Sequence, residues 1–193
     1  MDTTRVAALV GSLREGSYTR LACDRALAVA DHDEQVETDC IDLREFDLPV
    51  YNSDLDEPGD SAELLARVEQ ADSVLLGSPN YHGSYSAPLK NALDYCGFDE
   101  FENTTVGLLT VAGGSFPTGA LDHLRIVARA VNAWVLPHQV AFPNVSSQYE
   151  DGELVDDDYA ERVDTLGRRL VEYANIEPSP ATLESQSNVG ADD

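Results

Sequence analysis

Short apolar runs stopped by Gly, Ser or Pro alternate with stretches of good helix formers along most of this chain, and that alternation limits its fold more than any other feature. Val6-Ala7-Ala8-Leu9-Val10 halts at Gly11, Ser73-Val74-Leu75-Leu76 at Gly77-Ser78-Pro79, and Val106 to Val111 at Ala112-Gly113-Gly114. Runs this short and continuously apolar read as strands buried on both faces. Pro79 is expected to end the third ladder, because proline brings no N–H donor. Val36 to Leu43 and Trp134 to Val140 add a second and a fifth strand, with Pro137 placing the fifth near an edge. Between them, Thr19 to Ala30, Ser61 to Val68, Pro88 to Tyr95, Gly119 to Ala133 and Tyr159 to Ala174 carry helical patterns. Ser61 is expected to cap its helix, and Pro88 suits a first helical turn. Arg44 to Asp60 reads as a long surface connection. Strands alternating with helices specify an α/β fold with a parallel sheet and right-handed crossovers.

The 193 residues suit one domain, expected over 1–175, followed by a flexible acidic tail over 176–193 that shows no period. Acidic residues number 36 against 12 basic ones, for a net charge of −24. That balance excludes a general binder of nucleic acid or of anionic membranes, which needs a basic face. Eleven of the twelve cations are arginine and Lys90 is the only lysine, a surface suited to a high-salt cytoplasm where screening weakens self-repulsion. No apolar run has the length of a membrane span, and the N-terminus lacks a signal-peptide layout, so a cytoplasmic location is expected. Cys23, Cys40 and Cys96 are odd in number and widely spaced, which favours buried free thiols over disulfides or zinc. The four histidines show no ligand spacing, and no metal is expected.

In such sheets, ligands bind beyond the carboxyl ends of the strands. Three loops there combine glycines and serines, two of them with an aromatic. In Gly11-Ser12-Leu13-Arg14-Glu15-Gly16-Ser17, backbone N–H groups and the hydroxyls of Ser12, Ser17 and Thr19 surround a helix N-terminus, and Arg14 adds a fork of donors. An anion such as phosphate fits that arrangement better than a plain turn capped by Ser17 does. Arg20 reads as a solvated helix residue. The loop is neither Gly-x-Gly-x-x-Gly nor a P-loop. Ser78-Pro79-Asn80-Tyr81-His82-Gly83-Ser84 offers backbone donors and a tyrosine ring to a flat ligand, and equally well reads as a surface turn. Ala112-Gly113-Gly114-Ser115 permits close backbone approach.

Together, "GSLREGSYTRLA", "GSPNYHGSYSAPLKNALDY" and "VAGGSFPTGALDHLR" resemble the NADPH-dependent FMN reductase family of the flavodoxin-like fold, which includes quinone, chromate and azo-dye reductases. The resemblance runs from Arg5 to about Val145. It implies a three-layer sandwich around a five-stranded parallel sheet of order 2-1-3-4-5. It places an FMN phosphate at Ser12, Arg14, Ser17 and Thr19, and its ring on Pro79, Asn80, Tyr81, His82 and Gly83, with Gly114 and Ser115 closing the other side. Relatives often carry Asn at the position of Thr19, and Glu and Asn where Asn80 and His82 stand. The implied activity is ping-pong: NADPH or NADH gives hydride to FMN, and a small acceptor such as a quinone, flavin, chromate or azo compound then takes the electrons. No side chain is assigned a catalytic role. A homodimer or homotetramer is implied, pairing partly through the helix over Pro88 to Tyr95. A flavodoxin-like electron carrier would share sheet and cofactor, but its first loop resembles Thr/Ser-x-Thr-Gly-x-Thr without an arginine. A phospho-acceptor signalling domain would need Asp at the end of the third strand. An FMN-binding sensor or scaffold is the third alternative.

Overall fold

The computed structural model describes residues 3–174, so the expected tail over 176–193 lies outside the described residues. Five parallel strands form one sheet: β1 (Thr4–Val10), β2 (Val36–Asp42), β3 (Ser73–Pro79), β4 (Thr105–Val111) and β5 (Trp134–Phe142). Their order is β2-β1-β3-β4-β5, the flavodoxin-like arrangement expected from the loops. Helices α1 (Tyr18–Ala30), α2 (Ser61–Glu69), α3 (Ala87–Tyr95), α4 (Phe98–Phe101), α5 (Thr118–Ala130) and α6 (Asp157–Glu172) connect and cover it. Among the described residues, no helix is long and apolar enough to cross a membrane.

The alternation of side chains along β1 sorts the core into two halves. Val6, Ala8 and Val10 pack with Ala22, Ala26, Leu166 and Leu170 of α1 and α6 on one face. Ala7 and Leu9 face the other way, into Leu64, Leu89, Leu121 and Leu124 of α2, α3 and α5. Both faces of the sheet are thereby covered, which is why its central strands show no polar alternation. The two helices of the first face approach so closely that a Cβ on Gly167 would strike the carbonyl oxygen of Ala26.

Pro79 is the last residue of β3, as expected, and it still pairs with Val111, the final pair of that ladder. Several other boundaries depart from the sequence expectation for local reasons. Ser61 is the first residue of α2 and not its cap. Asp60 takes that place, with its carboxylate turned to the Asp47 N–H at 2.7 Å. The fifth strand runs on to Phe142, past Pro137, whose effect is confined to a register shift opposite Val106 and Leu108 at the sheet edge. The Arg44–Asp60 connection begins with a short 3-10 turn, Leu43–Glu45, and is then tied to α3: Asn91 accepts from the Tyr51 N–H at 2.8 Å and donates to the Pro49 carbonyl at 2.9 Å. A small hairpin, β6 (Tyr149–Glu150) with β7 (Glu153–Leu154), has no counterpart in the sequence expectation. The three cysteines are free. Cys23 and Cys96 are buried as expected, but Cys40 is only half-buried. Burial pushes the Cys23 thiol up and that of Cys40 to about 12, so neither is a ready thiolate.

Candidate functional site

The sheet order changes direction between β1 and β3, and the loops that leave these strands diverge there. Register brings the strand ends level: Val10 pairs with Gly77, Pro79 with Val111, and Val111 with Phe142. The loops after β1, β3 and β4 therefore share one edge of the molecule.

The first two loops are joined by serines. Gly11 donates its N–H to the Gly77 carbonyl at 2.8 Å, and the Ser86 hydroxyl donates to the Gly11 carbonyl at 2.5 Å. The same hydroxyl receives the Leu89 N–H at the start of α3, and the Ser86 N–H reaches Ser78 Oγ at 2.9 Å. Ser78 and Ser86 are both buried; the sequence reading names Ser78 only as the start of the second loop and does not single out Ser86. The only available signal was that Ser86 precedes Ala87-Pro88, a cap followed by a first-turn proline.

The loop after β1 has the features of an anion cradle. Among the described residues, the N–H groups of Glu15 and Gly16 meet no acceptor. Ser17 is the cap of α1: its Oγ accepts from the Arg20 N–H at 3.1 Å and keeps its own proton to donate. Ser12 Oγ receives the Arg14 N–H at 3.5 Å. Thr19 Oγ1 is buried with no hydrogen-bond partner, which costs free energy unless a ligand or water completes it. Arg14 is exposed, and among the described residues no carboxylate lies within ion-pair distance of it. These donors fit a phosphate, placed where the α1 dipole favours negative charge.

Arg20 is not the solvated helix residue expected. Its guanidinium binds Asp42 at 2.5 Å and Asp24 at 2.7 Å. Asp42, at the end of β2, has a side chain 0% exposed and also takes Arg44 Nη2 at 2.5 Å. Burial alone would raise this carboxyl. The Arg44 side-chain and backbone hydrogen bonds, joined by that from Arg20, outweigh burial and hold it below the ordinary aspartate value.

Tyr81-His82-Gly83-Ser84 closes as a tight hairpin turn, with Tyr81 N–H to Ser84 O at 2.9 Å and Ser84 N–H to Tyr81 O at 3.1 Å. Both central residues are left-handed, with φ of 53° at His82 and 82° at Gly83, as the primed hairpin turns require. His82 and Tyr81 stand exposed at the tip, while Pro79 is buried in the strand. Asn80 links this loop to the third: its N–H reaches Val111 O at 2.7 Å and its Nδ2 reaches Phe116 O at 3.0 Å. Asn80 Oδ1 is buried and unpaired. Gly114 and Ser115 are exposed, and the Gly114 carbonyl takes the Asn144 N–H at 2.9 Å. Phe116 beside them is 86% exposed, an aromatic at the rim that the sequence reading did not single out. Every expected site residue thus lies at the same sheet edge, with Pro79 serving as backbone support.

A parallel sheet of this order, with the loops after β1, β3 and β4 gathered at its switch point, defines a protein of the flavodoxin-like class. Comparison with known proteins narrows the class. The profile of the family described as NADPH-dependent FMN reductase matches residues 4–147. An FMN-dependent NADPH-azoreductase of Staphylococcus haemolyticus is 33% identical over 180 residues, which cover 88% of this chain and 95% of that protein. The chain belongs to the NADPH-dependent FMN reductase family, and it is an oxidoreductase of that kind. Two solved structures share the fold. FerB, a flavoenzyme NAD(P)H:(acceptor) oxidoreductase from Paracoccus denitrificans, has a TM-score of 0.74 at 24% identity, covering 89% of this chain and 97% of that one. The apo form of EMOB, an NADH:FMN oxidoreductase, has a TM-score of 0.72 at 23% identity, covering 91% and 92%.

Proposed function

We propose that this protein holds FMN across the three loops and passes electrons from NADPH or NADH to a small acceptor in a ping-pong cycle. The observation that carries the reading is the set of unpaired donors after β1, among them the N–H groups of Glu15 and Gly16 and the buried Thr19 Oγ1. Ser12, Arg14, Ser17 and Thr19 hold the phosphate. The flavin supplies the hydride chemistry, and the protein supplies placement. Pro79, Asn80, Tyr81, His82 and Gly83 line one edge of the ring, the left-handed turn presenting backbone to it. Gly114 and Ser115 close the other side, where a Cβ on Gly114 would find nothing within 4 Å, so the loop leaves room. Asn80 Oδ1, lacking a partner, offers an acceptor to a ring N–H. No side chain is required as an acid or nucleophile.

The acceptor is a flat organic molecule such as an azo compound or quinone, and the S. haemolyticus relative's azoreductase name supports the first. The working form is a homodimer built on the α3 face. There Leu13, Phe46, Leu48, Val50 and Tyr85 line a largely apolar groove of about 680 Å³, and Val50 is 85% exposed. Steady NADPH consumption by FMN-loaded protein, with parallel double-reciprocal plots against the acceptor, is the expected result. Bound FMN that NADPH leaves oxidised would favour the electron-carrier reading instead.

A further inference from the structure

Arg44 lies outside every motif that suggests flavin binding, yet its guanidinium spans two structures. One side forks onto the buried Asp42, with Nε at 3.0 Å from both carboxylate oxygens and Nη2 at 2.5 Å from Oδ2. From the other side, Nη1 reaches the carbonyl oxygens of Arg14 at 3.4 Å and Glu15 at 3.5 Å. Asp42 is fixed in turn by Arg20, whose own N–H bonds the Ser17 cap. The contact is made to carbonyls, so it acts on the orientation of the loop backbone.

A trans peptide is planar, and its C=O and N–H point in opposite directions. A group that draws the carbonyls of Arg14 and Glu15 to one side therefore turns the N–H groups of Glu15 and Gly16 to the other. Like other N–H groups of this loop and of the first turn of α1, these two meet no acceptor among the described residues, and they are the two whose peptide carbonyls Arg44 holds. We infer that Arg44, braced by Asp42, is a positioning residue that aims the Glu15 and Gly16 N–H groups at the anion held after β1. The inference rests on the reading of that loop as the seat of the FMN phosphate. Arg44 holds no ligand itself. Its exposed guanidinium orders a loop whose Gly16 would otherwise let the two peptides rotate.

The test compares FMN with riboflavin, which has the same ring and no phosphate, by fluorescence titration of apoprotein in high salt. Wild type, Arg44→Gln and Arg44→Lys are measured, with Arg14→Ala as reference. Both Arg44 variants are expected to lose about tenfold in FMN affinity, the scale of one charge-assisted hydrogen bond, while riboflavin affinity is unchanged. Arg44→Lys keeps a cation beside Asp42 and so guards against misfolding, but its single ammonium cannot span carboxylate and carbonyls together. In amide NMR spectra, FMN is expected to move the Glu15 and Gly16 protons downfield in wild type and less in Arg44→Lys. Wild-type FMN affinity in Arg44→Lys would show that charge alone suffices, and would overturn the inference. Equal weakening of FMN and riboflavin would overturn it too, by revealing a general structural role. If Arg14→Ala loses the preference for FMN and the Arg44 variants keep it, the inference fails and the phosphate site stands. A wild type that binds FMN and riboflavin alike would fail the phosphate reading itself.

Discussion

Arg14 and Asp42 place opposite demands on their surroundings. Arg14 stands in solvent without a carboxylate within reach among the described residues, in a chain with 36 acidic residues. Replacing it by alanine is expected to weaken FMN binding about 10- to 100-fold, the worth of one or two hydrogen bonds to a charged group, with little change in Tm. Desalting the FMN-loaded variant and measuring retained flavin checks this. Asp42, by contrast, is a stability element. Its carboxyl is held below the usual aspartate value in the folded state, so it stabilises the fold at neutral pH. That contribution fades as pH falls below about 4, where the unfolded chain's aspartates protonate, and on through the lower folded value. Asp42→Asn is therefore expected to be less stable than wild type at pH 7, the gap narrowing on acidification. A gap that stays constant from pH 7 to pH 3 in urea melts would contradict the assignment. The sequence singles out Arg14 because a guanidinium in a Gly/Ser loop has a chemical meaning by itself. Arg20 was misread because its partner Asp42 lies 22 positions away, on a strand whose place beside α1 the local pattern does not reveal.

At the scale of elements, β1, β3 and β4 were readable because buried parallel strands are continuously apolar. The hairpin of β6 and β7 was not, since strands of two residues leave no periodicity to detect. The strap after β2 shows how side chains replace regular structure. Asn91 of α3 satisfies backbone groups of Leu48, Pro49 and Tyr51, and Tyr95 Oη adds a bond to the Pro49 carbonyl at 2.8 Å. Asn91→Ala should cost about 1–3 kcal/mol, because it leaves those groups short of partners. Faster hydrogen exchange at the Tyr51 amide would localise the loss to the strap, and unchanged exchange would refute that origin. Gly167→Ala is expected to be worse than its helix propensity suggests: alanine favours α6 by about 1 kcal/mol, but the added methyl meets the Ala26 carbonyl and must push α1 and α6 apart. A variant more stable than wild type in thermal melts would show that the two helices are not in contact there.

For the whole molecule, a net charge of −24 means that folding gathers like charges into a small volume. Raising KCl from 0.1 M to 2 M shortens the screening distance and should raise Tm by about 2–8 °C, equivalent to about 1–2 kcal/mol for a chain of this size. A Tm that falls with salt would mean that ion pairs such as Arg25–Asp164 outweigh the repulsion. Sheet order and the sharing of one edge by three loops could be foreseen from the sequence through the family resemblance. The serine links and the Arg44 contact could not, because they join residues that only the folded topology brings together. The most direct test of the account is FMN titrated into apoprotein shown to be folded by circular dichroism, in high salt, followed by NADPH without oxygen. Stoichiometric binding with a perturbed visible flavin band, then bleaching by NADPH, is predicted; folded protein that leaves the FMN spectrum unchanged would contradict it.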